Sequence, residues 1–235
     1  MEWFARDFDH PLYFEIYQDK EQEAAREGAV LAELLDLPPD SLVLDLPCGW
    51  GRLHSALRAR GWRVIGGDLS TLNLRRHQQE HPGLLARLDF RALPFRNASA
   101  DGIFCAFTSW GYFQSEAENQ RQLQEFARVL KPHGTLLLDL VGREALRAAI
   151  APIENQWMEI GPYRERVRWT PDQRRVLTDR IMDGVRFRHD IWIPENREIL
   201  DHLAQAGFGW IDRFDDNGSA WRPEATRWVY RAIRI

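Results

Sequence analysis

The residues of this chain with the clearest chemical potential lie in one stretch, residues 41–70. Asp45 follows the apolar run 42–44, a tight loop with Gly49 and Gly51 comes next, and a second apolar run ends at Asp68. This pattern predicts a right-handed parallel crossover that brings Asp68 beside the glycine turn. Glycines let a ligand approach the backbone closely, and an acid at the second strand tip accepts hydrogen bonds from ribose hydroxyls. The stretch therefore predicts a ligand that carries a nucleoside.

The glycine spacing and Asp45 narrow the choice of nucleoside. The dinucleotide-binding fingerprint has three glycines, and the third position is His54 in this chain. Asp45 lies just before the turn, where its charge would repel a pyrophosphate but would suit a ligand with a cationic end. Both observations disfavour a dinucleotide-dependent oxidoreductase, which is the alternative class for an acid at the position of Asp68.

The run D-x-P-C-G-x-G, followed by G-D-L-S, resembles motif I and its successor in class I S-adenosylmethionine-dependent methyltransferases. Three later segments, residues 88–95, 101–107 and 128–139, fit that family in order and spacing. Four motifs in register are more specific than any one alone. The resemblance implies an α/β fold with a Rossmann-like, seven-stranded, mixed and mainly parallel sheet flanked by helices. It also implies S-adenosyl-L-methionine as the cofactor and transfer of its methyl group as the activity.

The resemblance further implies which residues bind the cofactor. Asp45, Gly49 and Gly51 would border its methionine portion, and Asp68 would bind the ribose. At the tip of the third strand, an acid in this family accepts from the adenine amino group and the next amide serves a ring nitrogen. The complete predicted set is Asp45, Pro47, Cys48, Gly49, Gly51, Asp68, Leu69, Asp89, Phe90 and Phe107.

The acceptor pocket is predicted from two other segments. Residues 1–20 are rich in aromatic side chains, and in similar proteins such a segment folds over the pocket as a lid, which makes Tyr13 and Tyr17 pocket residues. The loop after the fourth strand adds Thr108 and Trp110, because loops at the carboxyl ends of parallel strands build the site. That loop lacks the D/N-P-P-Y/F motif of enzymes that methylate DNA amino groups or protein glutamine, so we expect a small-molecule acceptor.

A general base is required only if the acceptor must lose a proton. Tyr17, Asp139 and His189 are the candidates for that role, although each of these residue types is more often structural than catalytic at such positions. The catalytic residues are otherwise unassigned by the sequence. A protein that binds the cofactor without catalysis would carry the same motifs and is a further alternative.

The chain is predicted to be one methyltransferase domain over residues 1–235. It divides into an N-terminal lid and helix (1–36), a cofactor-binding core (41–150), a β insertion (155–193), and a final helix with a β hairpin that completes the sheet (194–235). Arginine, acidic and apolar residues alternate at period two in the insertion, which predicts a small antiparallel sheet. We interpret it as a substrate cap with its charges on a solvated face, the alternative being an RNA methyltransferase whose arginines contact phosphate.

Composition limits the remaining choices. The chain has 235 residues, 44% of them hydrophobic, with a formal net charge of −4, so it lacks the basic field that nucleic acid attracts. Its two cysteines give no disulfide framework and suit a reducing compartment. We see no secretory signal or apolar span, and we predict a cytoplasmic monomer or homodimer without a membrane partner.

One motif points to different chemistry. Residues 77–81 read H-Q-Q-E-H, which matches the H-x-x-E-H zinc motif. The motif lies at a predicted helix end before Pro82, and no third ligand stands out at a suitable spacing. We therefore predict a solvated helix end and no metal site.

Overall fold

The computed structural model describes residues 2–235, and of Asp19 only the backbone. Its helices are α1 (Trp3–Asp7), α2 (Leu12–Tyr17), α3 (Glu21–Leu35), α4 (His54–Ala59), α5 (Thr71–Glu80), α6 (Glu116–Val129), α7 (Arg143–Ile150) and α8 (Asn196–Gln205), with a 3-10 turn at Gln18–Lys20. Its strands are β1 (Leu42–Asp45), β2 (Arg63–Asp68), β3 (Leu84–Arg87), β4 (Ala100–Cys105), β5 (Leu130–Val141), β6 (Trp157–Ile160), β7 (Tyr163–Trp169), β8 (Arg175–Met182), β9 (Val185–Trp192), β10 (Phe208–Phe214) and β11 (Arg227–Arg234).

The main sheet has seven strands in the order β10-β11-β5-β4-β1-β2-β3. Strands β1 to β5 run parallel, whereas β11 is antiparallel to both of its neighbours. The chain moves outward from β1 first to one edge and then to the other, which places a topological switch point beside β1 and β4. Ligands of open α/β sheets bind at the carboxyl ends of the strands at such a point. The predicted mixed, mainly parallel sheet is confirmed.

The central strands are buried on both faces, as parallel strands between helix layers should be. On one face, Val43 and Phe104 pack with the apolar side of α3 and α4. On the other face, Leu44 and Ile103 pack with α6 and α8. Successive residues of a strand point to opposite faces, so the same short runs fill both cores and fix the edge at which β1, β2 and β4 end together.

The insertion between α7 and α8 forms a separate antiparallel sheet in the order β6-β7-β8-β9. The predicted antiparallel insertion before the last helix is therefore confirmed. Its strands pair residue by residue, for example Val167 with Thr178 and Thr178 with His189. One face of this sheet points to the carboxyl edge of the main sheet, and the other carries charged side chains.

The N-terminal segment ties the two sheets together. The Asp7 carboxylate accepts a hydrogen bond from the Arg188 amide in β9 at 2.7 Å. The Asp9 carboxylate accepts from the Ser70 hydroxyl and the Leu72 amide, both at 2.8 Å, at the start of α5. This segment lies across the carboxyl edge of the main sheet as a cover. None of the helices formed by residues 2–235 is long and apolar enough to cross a membrane.

Two leucines on the main-sheet layers give a matched test of this packing. Leu123 of α6 is fully buried, whereas Leu84 of the edge strand β3 is 67% exposed. We expect Leu123→Ala to lower the free energy of unfolding by about 2–5 kcal/mol because it removes buried methyl groups and leaves a cavity. Leu84→Ala should change it by less than about 0.5 kcal/mol. Urea unfolding of both variants measures the difference, and equal losses would contradict the assignment of α6 to the core.

Candidate active site

The loop after β1 is shaped for close approach of a ligand. Gly49 has φ 53° and Gly51 has φ 90°, a left-handed conformation that costs glycine no steric strain. A Cβ on Gly49 would meet no atom within 4 Å, so the surface there is open, whereas a Cβ on Gly51 would lie 2.6 Å from the His77 ring. The first glycine therefore leaves room for a ligand, and the second allows the loop to pack on α5.

Asp68 at the tip of β2 fixes this loop. Its carboxylate accepts from the Gly49 amide at 2.9 Å and from the Ser70 amide at 2.8 Å. Burial raises the pKa of Asp68 to about 6, although these amide hydrogen bonds oppose the rise. Each carboxylate oxygen can accept two hydrogen bonds, so Asp68 still has acceptor capacity toward a ligand.

Asp45 at the tip of β1 is a buried acid without a hydrogen-bond donor among the described residues. It is 3% exposed, and burial raises its pKa to about 8, with a further contribution from the charge of Asp68. The guanidinium of Arg52 acts in the opposite direction. An ionised carboxylate at this position needs a partner. A cationic ligand group would supply one.

A cavity of about 460 Å³ lies at this edge of the main sheet. Its lining includes the predicted residues Asp45, Pro47, Cys48, Gly49, Asp68, Phe107, Thr108, Tyr13, Tyr17 and His189. The other wall is the inner face of the insertion, with Val167, Val176 and Arg180. The volume lies in the usual range for a small-molecule site. The structure thus brings the end of β1, the N-terminal segment and the insertion to one cavity.

A second cavity of about 40 Å³ adjoins the first. It is lined by the predicted residues Leu69, Asp89 and Phe90, and is closed by Phe4 and Phe8 of the N-terminal segment. Pro47 and Asp68 line both cavities. The two cavities therefore meet at the acid that the sequence assigns to the ribose.

Asp89 is already strongly engaged at the rim of the small cavity. Both of its oxygens accept from the Arg91 guanidinium, at 3.0 Å for Nε to Oδ1 and 2.6 Å for Nη2 to Oδ2, and Oδ1 also accepts from the Arg91 amide. Arg91 binds Glu2 and Glu118 as well, at 2.9 Å and 2.7 Å. This network attaches the start of the chain to the tip of β3. The role of Arg91 as the centre of this network was not predicted from the sequence.

The loop after β4 is held in a strained conformation. Phe107 and Thr108 have φ 63° and 61°, and a non-glycine residue in this region costs on the order of 1 kcal/mol or more. Asp139 stabilises both residues: its carboxylate accepts from the Phe107 amide at 2.8 Å, and its carbonyl accepts from the Thr108 amide at 2.9 Å. Strain of this kind often occurs where a backbone must present atoms to a ligand.

Asp139 itself does not line the cavity. Its carboxylate is 5% exposed and forms an ion pair with Arg227 at 2.6 Å. Both carboxylate oxygens accept from the Arg227 guanidinium, and one of them also accepts from the Phe107 amide. Its position indicates that it supports the loop, and the assignment of Asp139 as a general base finds no structural support.

Three cations surround the Phe107 ring and were not recognised from the sequence. The Arg52 and Arg227 guanidinium carbons lie 4.8 Å and 5.1 Å from the ring centroid, and Lys20 Nζ lies 5.8 Å from it. Arg227 is paired with Asp139, and Arg52 with Glu27 at 2.6 Å. Lys20 has no ion-pair partner among the side chains that the structure describes. This corner of the cavity therefore favours a negatively charged group close to Asp45.

His189 and the two tyrosines form the opposite corner. The Tyr17 and His189 rings are stacked at 11° with centroids 6.4 Å apart, and Tyr13 lies 4.7 Å from Tyr17. Burial, assisted by the charge of Arg180, holds the pKa of His189 well below its usual range, so this imidazole is neutral and a poor base. Tyr17 is the remaining base candidate that faces the cavity.

Two predicted positions differ from the structure. Trp110 does not line the cavity: its side chain is fully buried in the main core, where it packs on Trp192 at 5.2 Å and donates to the Asn119 carbonyl at 2.9 Å. Gly111, with φ 105°, turns the chain after it, so Tyr112 rather than Trp110 reaches the site. A two-residue shift of this kind depends on loop geometry that residue types do not reveal.

The H-x-x-E-H segment is the second difference. His77 is fully buried rather than solvated, because its ring packs under Gly51 and against His54 at 4.6 Å. Burial lowers the pKa of His54 and of His77 to about 4, so both rings are neutral packing groups at pH 7. The described residues contain no group of three histidine, cysteine or acidic side chains that could hold a metal ion.

The fold and this site define a class of protein. A seven-stranded sheet with one antiparallel strand, a glycine loop after β1 and acids at the tips of β1 and β2 is the class I arrangement implied by the sequence motifs. Residues 44–138 match the family model described as "Methyltransferase domain". The fold is that of the class I S-adenosylmethionine-dependent methyltransferases, and residues 44–138 are similar to their methyltransferase domain, so the predicted resemblance is confirmed.

Three similar proteins illustrate this result. The biotin biosynthesis bifunctional protein BioHC of Cellvibrio japonicus is 32% identical over 146 residues, which are 60% of this chain and 28% of that protein. A methyltransferase structure from Clostridium acetobutylicum has a TM-score of 0.76 at 18% identity, covering 95% of this chain and 96% of that chain. The SAM-bound amino pentose methyltransferase CalS10 of Micromonospora echinaspora has a TM-score of 0.71 at 18% identity, covering 96% and 98%. The chain spans less than half the length of the curated relatives it matches.

The raised pKa of Asp45 predicts a dependence of stability on pH. The folded protein keeps this carboxyl protonated up to about pH 8, whereas the unfolded chain loses the proton near pH 4. The folded state thus binds more protons in this window, and stability falls as pH rises through it. Without cofactor, Asp45→Asn should reduce this loss of unfolding free energy by on the order of 1–3 kcal/mol.

Urea unfolding at pH 5, 6.5 and 8 measures this difference. Asp183→Asn is the matched control, because Asp183 is an exposed residue of the turn between β8 and β9 and its variant should keep the profile of the parent. Parallel profiles for the parent and Asp45→Asn would show that Asp45 is ionised in the folded protein.

Proposed function

We propose that this protein transfers the sulfonium methyl group of S-adenosyl-L-methionine to a small-molecule acceptor. The observation that carries the proposal is Asp45, a buried carboxylate without a hydrogen-bond donor among the described residues, which faces a cavity beside the open backbone of Gly49. The cofactor carries an ammonium group next to a carboxylate. Asp45 with the nearby cations provides the complementary pair of charges.

Each part of the cofactor has matching residues in this site. Asp45 would bind the ammonium, while Lys20 and Arg52 would attract the carboxylate on the other side of Phe107. Asp68 would bind the ribose hydroxyls. Ionisation of Asp45 would follow from binding, because a cation within about 4–6 Å favours the charged form of an acid.

The adenine would occupy the small cavity after a movement of the N-terminal segment. At about 40 Å³ this cavity holds little more than one water molecule. Phe4 and Phe8 close it, so α1 must shift outward to admit a base. The amide of Phe90 would then serve a ring nitrogen. Asp89 accepts four hydrogen bonds from Arg91, so it would have to exchange one of them for the amino group.

The chemistry that the bound cofactor supplies is an electrophilic methyl group on a positively charged sulfur. The protein must align an acceptor atom in line with that bond and exclude water. The strained loop at Phe107 and Thr108, fixed by Asp139, provides a rigid wall at this point. Tyr17 is the candidate to take a proton from an acceptor that carries one, whereas Asp139 and His189 are held by Arg227 and Arg180.

The shape and charge of the insertion favour a small acceptor over RNA. Arg166 and Arg168, on the outer face, both bind Asp179, at 3.0 Å and 2.5 Å. The shared carboxylate halves the net positive charge of this pair, so it attracts phosphate less strongly than two free arginines would. We further propose a cytoplasmic location, which suits the two buried free thiols Cys48 and Cys105, and a monomer or homodimer as the working form.

Calorimetric titration with S-adenosylmethionine, S-adenosylhomocysteine and NAD tests the proposal. We expect binding of the first two in the micromolar range and none of NAD. Asp68→Asn should weaken S-adenosylhomocysteine about ten- to a hundred-fold, because it replaces a charged hydrogen-bond acceptor by a neutral one. Asp183→Asn should bind like the parent.

A screen for release of S-adenosylhomocysteine in the presence of small acceptors then tests catalysis. Binding of NAD alone would contradict the cofactor assignment. Tight cofactor binding without turnover on any acceptor would instead identify a non-catalytic binding protein. Full affinity in a folded Asp68→Asn variant would exclude the ribose contact.

A further inference from the structure

Arg180 stands apart from the other arginines of the insertion because it faces the cavity. Successive side chains of strand β8 point to opposite faces of the sheet. Val176, Thr178 and Arg180 line the cavity, whereas Leu177 and Asp179 lie on the other face. Arg180 is paired across the sheet with Glu165 on one side and Phe187 on the other. Its guanidinium is thus part of the wall of the acceptor half of the site.

The hydrogen-bonding capacity of Arg180 is only partly used. Its Nε donates to the Glu165 carboxylate at 2.6 Å, and its Nη1 lies 3.1 Å from His189 Nδ1. Its Nη2 has no hydrogen-bond partner among the described side chains and backbone, which exclude only Met1 and the side chain of Asp19. A guanidinium carries five N–H donors, and the Arg180 side chain is only 12% exposed. Because Arg180 lines the cavity, its free donors are accessible to a ligand there.

The groups around Arg180 favour a ligand group that accepts hydrogen bonds over one that only donates them. Tyr13, Tyr17 and Thr178 bring hydroxyl groups to the same part of the cavity. Glu165 is the acid of this part of the wall, and it is occupied by Arg180. An ammonium group placed here would meet a fixed cation. A carboxylate would find several donors and a planar fork that matches its geometry.

The other end of the same wall is apolar. Val176 pairs with Ile191, and both line the cavity together with Leu146 and Ile150 of α7. Val176 and Arg180 are four residues apart on one strand, a separation of about 13 Å. A ligand that fills this wall therefore has an elongated apolar body and one end rich in acceptor oxygens.

We propose that Arg180 anchors a carboxylate of the methyl acceptor, and that the acceptor class is a small carboxylic acid with an apolar body. This inference rests on the proposed function, because it assigns the half of the cavity beyond the cofactor to the acceptor. Arg180 binds the acceptor and sets its specificity. The atom that receives the methyl group lies elsewhere on the acceptor or on the same carboxylate.

The test uses the full chain saturated with S-adenosylhomocysteine and three probes of equal length: octanoate, octanamide and octylamine. Calorimetry should show octanoate binding about ten-fold or more tighter than octanamide, and octylamine weakest, because a charged bidentate pair outweighs a neutral hydrogen bond. Arg180→Gln should remove the preference for octanoate and leave S-adenosylhomocysteine affinity unchanged. Arg186→Gln, on the exposed face of β9, is the matched control and should behave like the parent.

Two further variants keep the test decisive if Arg180→Gln fails to fold. The double variant Glu165→Gln/Arg180→Gln removes both members of the buried pair and should fold without a preference among the probes. Glu165→Gln alone leaves the guanidinium without its competing acid and should bind octanoate several-fold more tightly than the parent. Equal binding of octanoate and octanamide by the parent, or no octanoate binding into the millimolar range, would overturn the proposal.

Failure of the proposed function would look different. If the parent protein does not bind S-adenosylhomocysteine, the cofactor assignment is wrong. The probes are then titrated into the protein alone. If Arg180 anchors a carboxylate, octanoate should still bind more tightly than octanamide and octylamine. A preference that survives Arg180→Gln in either state would assign the carboxylate to another cation and overturn the inference.

Discussion

The site depends on the burial of two carboxylates at the ends of neighbouring parallel strands. Asp45 and Asp68 lie at the tips of β1 and β2, and burial raises the pKa of each. Their mutual repulsion and lost hydration must be offset by other groups. For Asp68 the offset is internal, since the Gly49 and Ser70 amides donate to it. For Asp45 no donor is present among the described residues, and protonation of its carboxyl group supplies the offset while the site holds no cation. Asp68 shapes the loop, and under the proposed function Asp45 would recognise the positive charge of the ligand.

The local part of this arrangement could be predicted from the sequence. Strand, glycine loop, helix and strand follow each other within residues 41–70, and parallel crossovers have one hand, so the position of Asp68 beside Gly49 follows from chain order. The start of α5 is equally local, because the Ser70 hydroxyl accepts from the Asn73 amide at 3.0 Å, and serine is a preferred residue at the start of a helix. Short-range rules suffice where the partners are close in sequence.

What could not be predicted depends on contacts between distant segments. Asp139, like Asp45, is an acid near the end of the parallel pairing of its strand. Its carboxylate, however, is paired with Arg227, which lies 88 residues away in the sequence. His77 looked solvated at a helix end and is buried by His54 and Gly51. Trp110 and Tyr112 differ in role because Gly111 reverses the chain between them. Residue types and the periodic pattern of apolar residues do not reveal such distant partners.

The strained loop shows how stability is exchanged for a rigid site. Phe107 and Thr108 occupy left-handed conformations that residues of their kind avoid. Asp139 compensates by binding both amides, and Thr108 adds a hydrogen bond from the Val141 amide to its hydroxyl at 2.8 Å. Asp139, a predicted candidate for the general base, thus supports the loop that forms one wall of the cavity. Under the proposed function this support matters, because methyl transfer from a charged sulfur needs alignment more than proton transfer.

The N-terminal segment makes the two cavities depend on one another. Phe8 lines both of them, Tyr13 lines the large one, and Phe4 closes the small one. The segment is hydrogen-bonded to the insertion through Asp7 and to α5 through Asp9. A shift of α1 that admits adenine therefore also moves the wall against which an acceptor would lie. Because the two sites share this wall, the position of the segment when the cofactor is bound determines the space left for the acceptor.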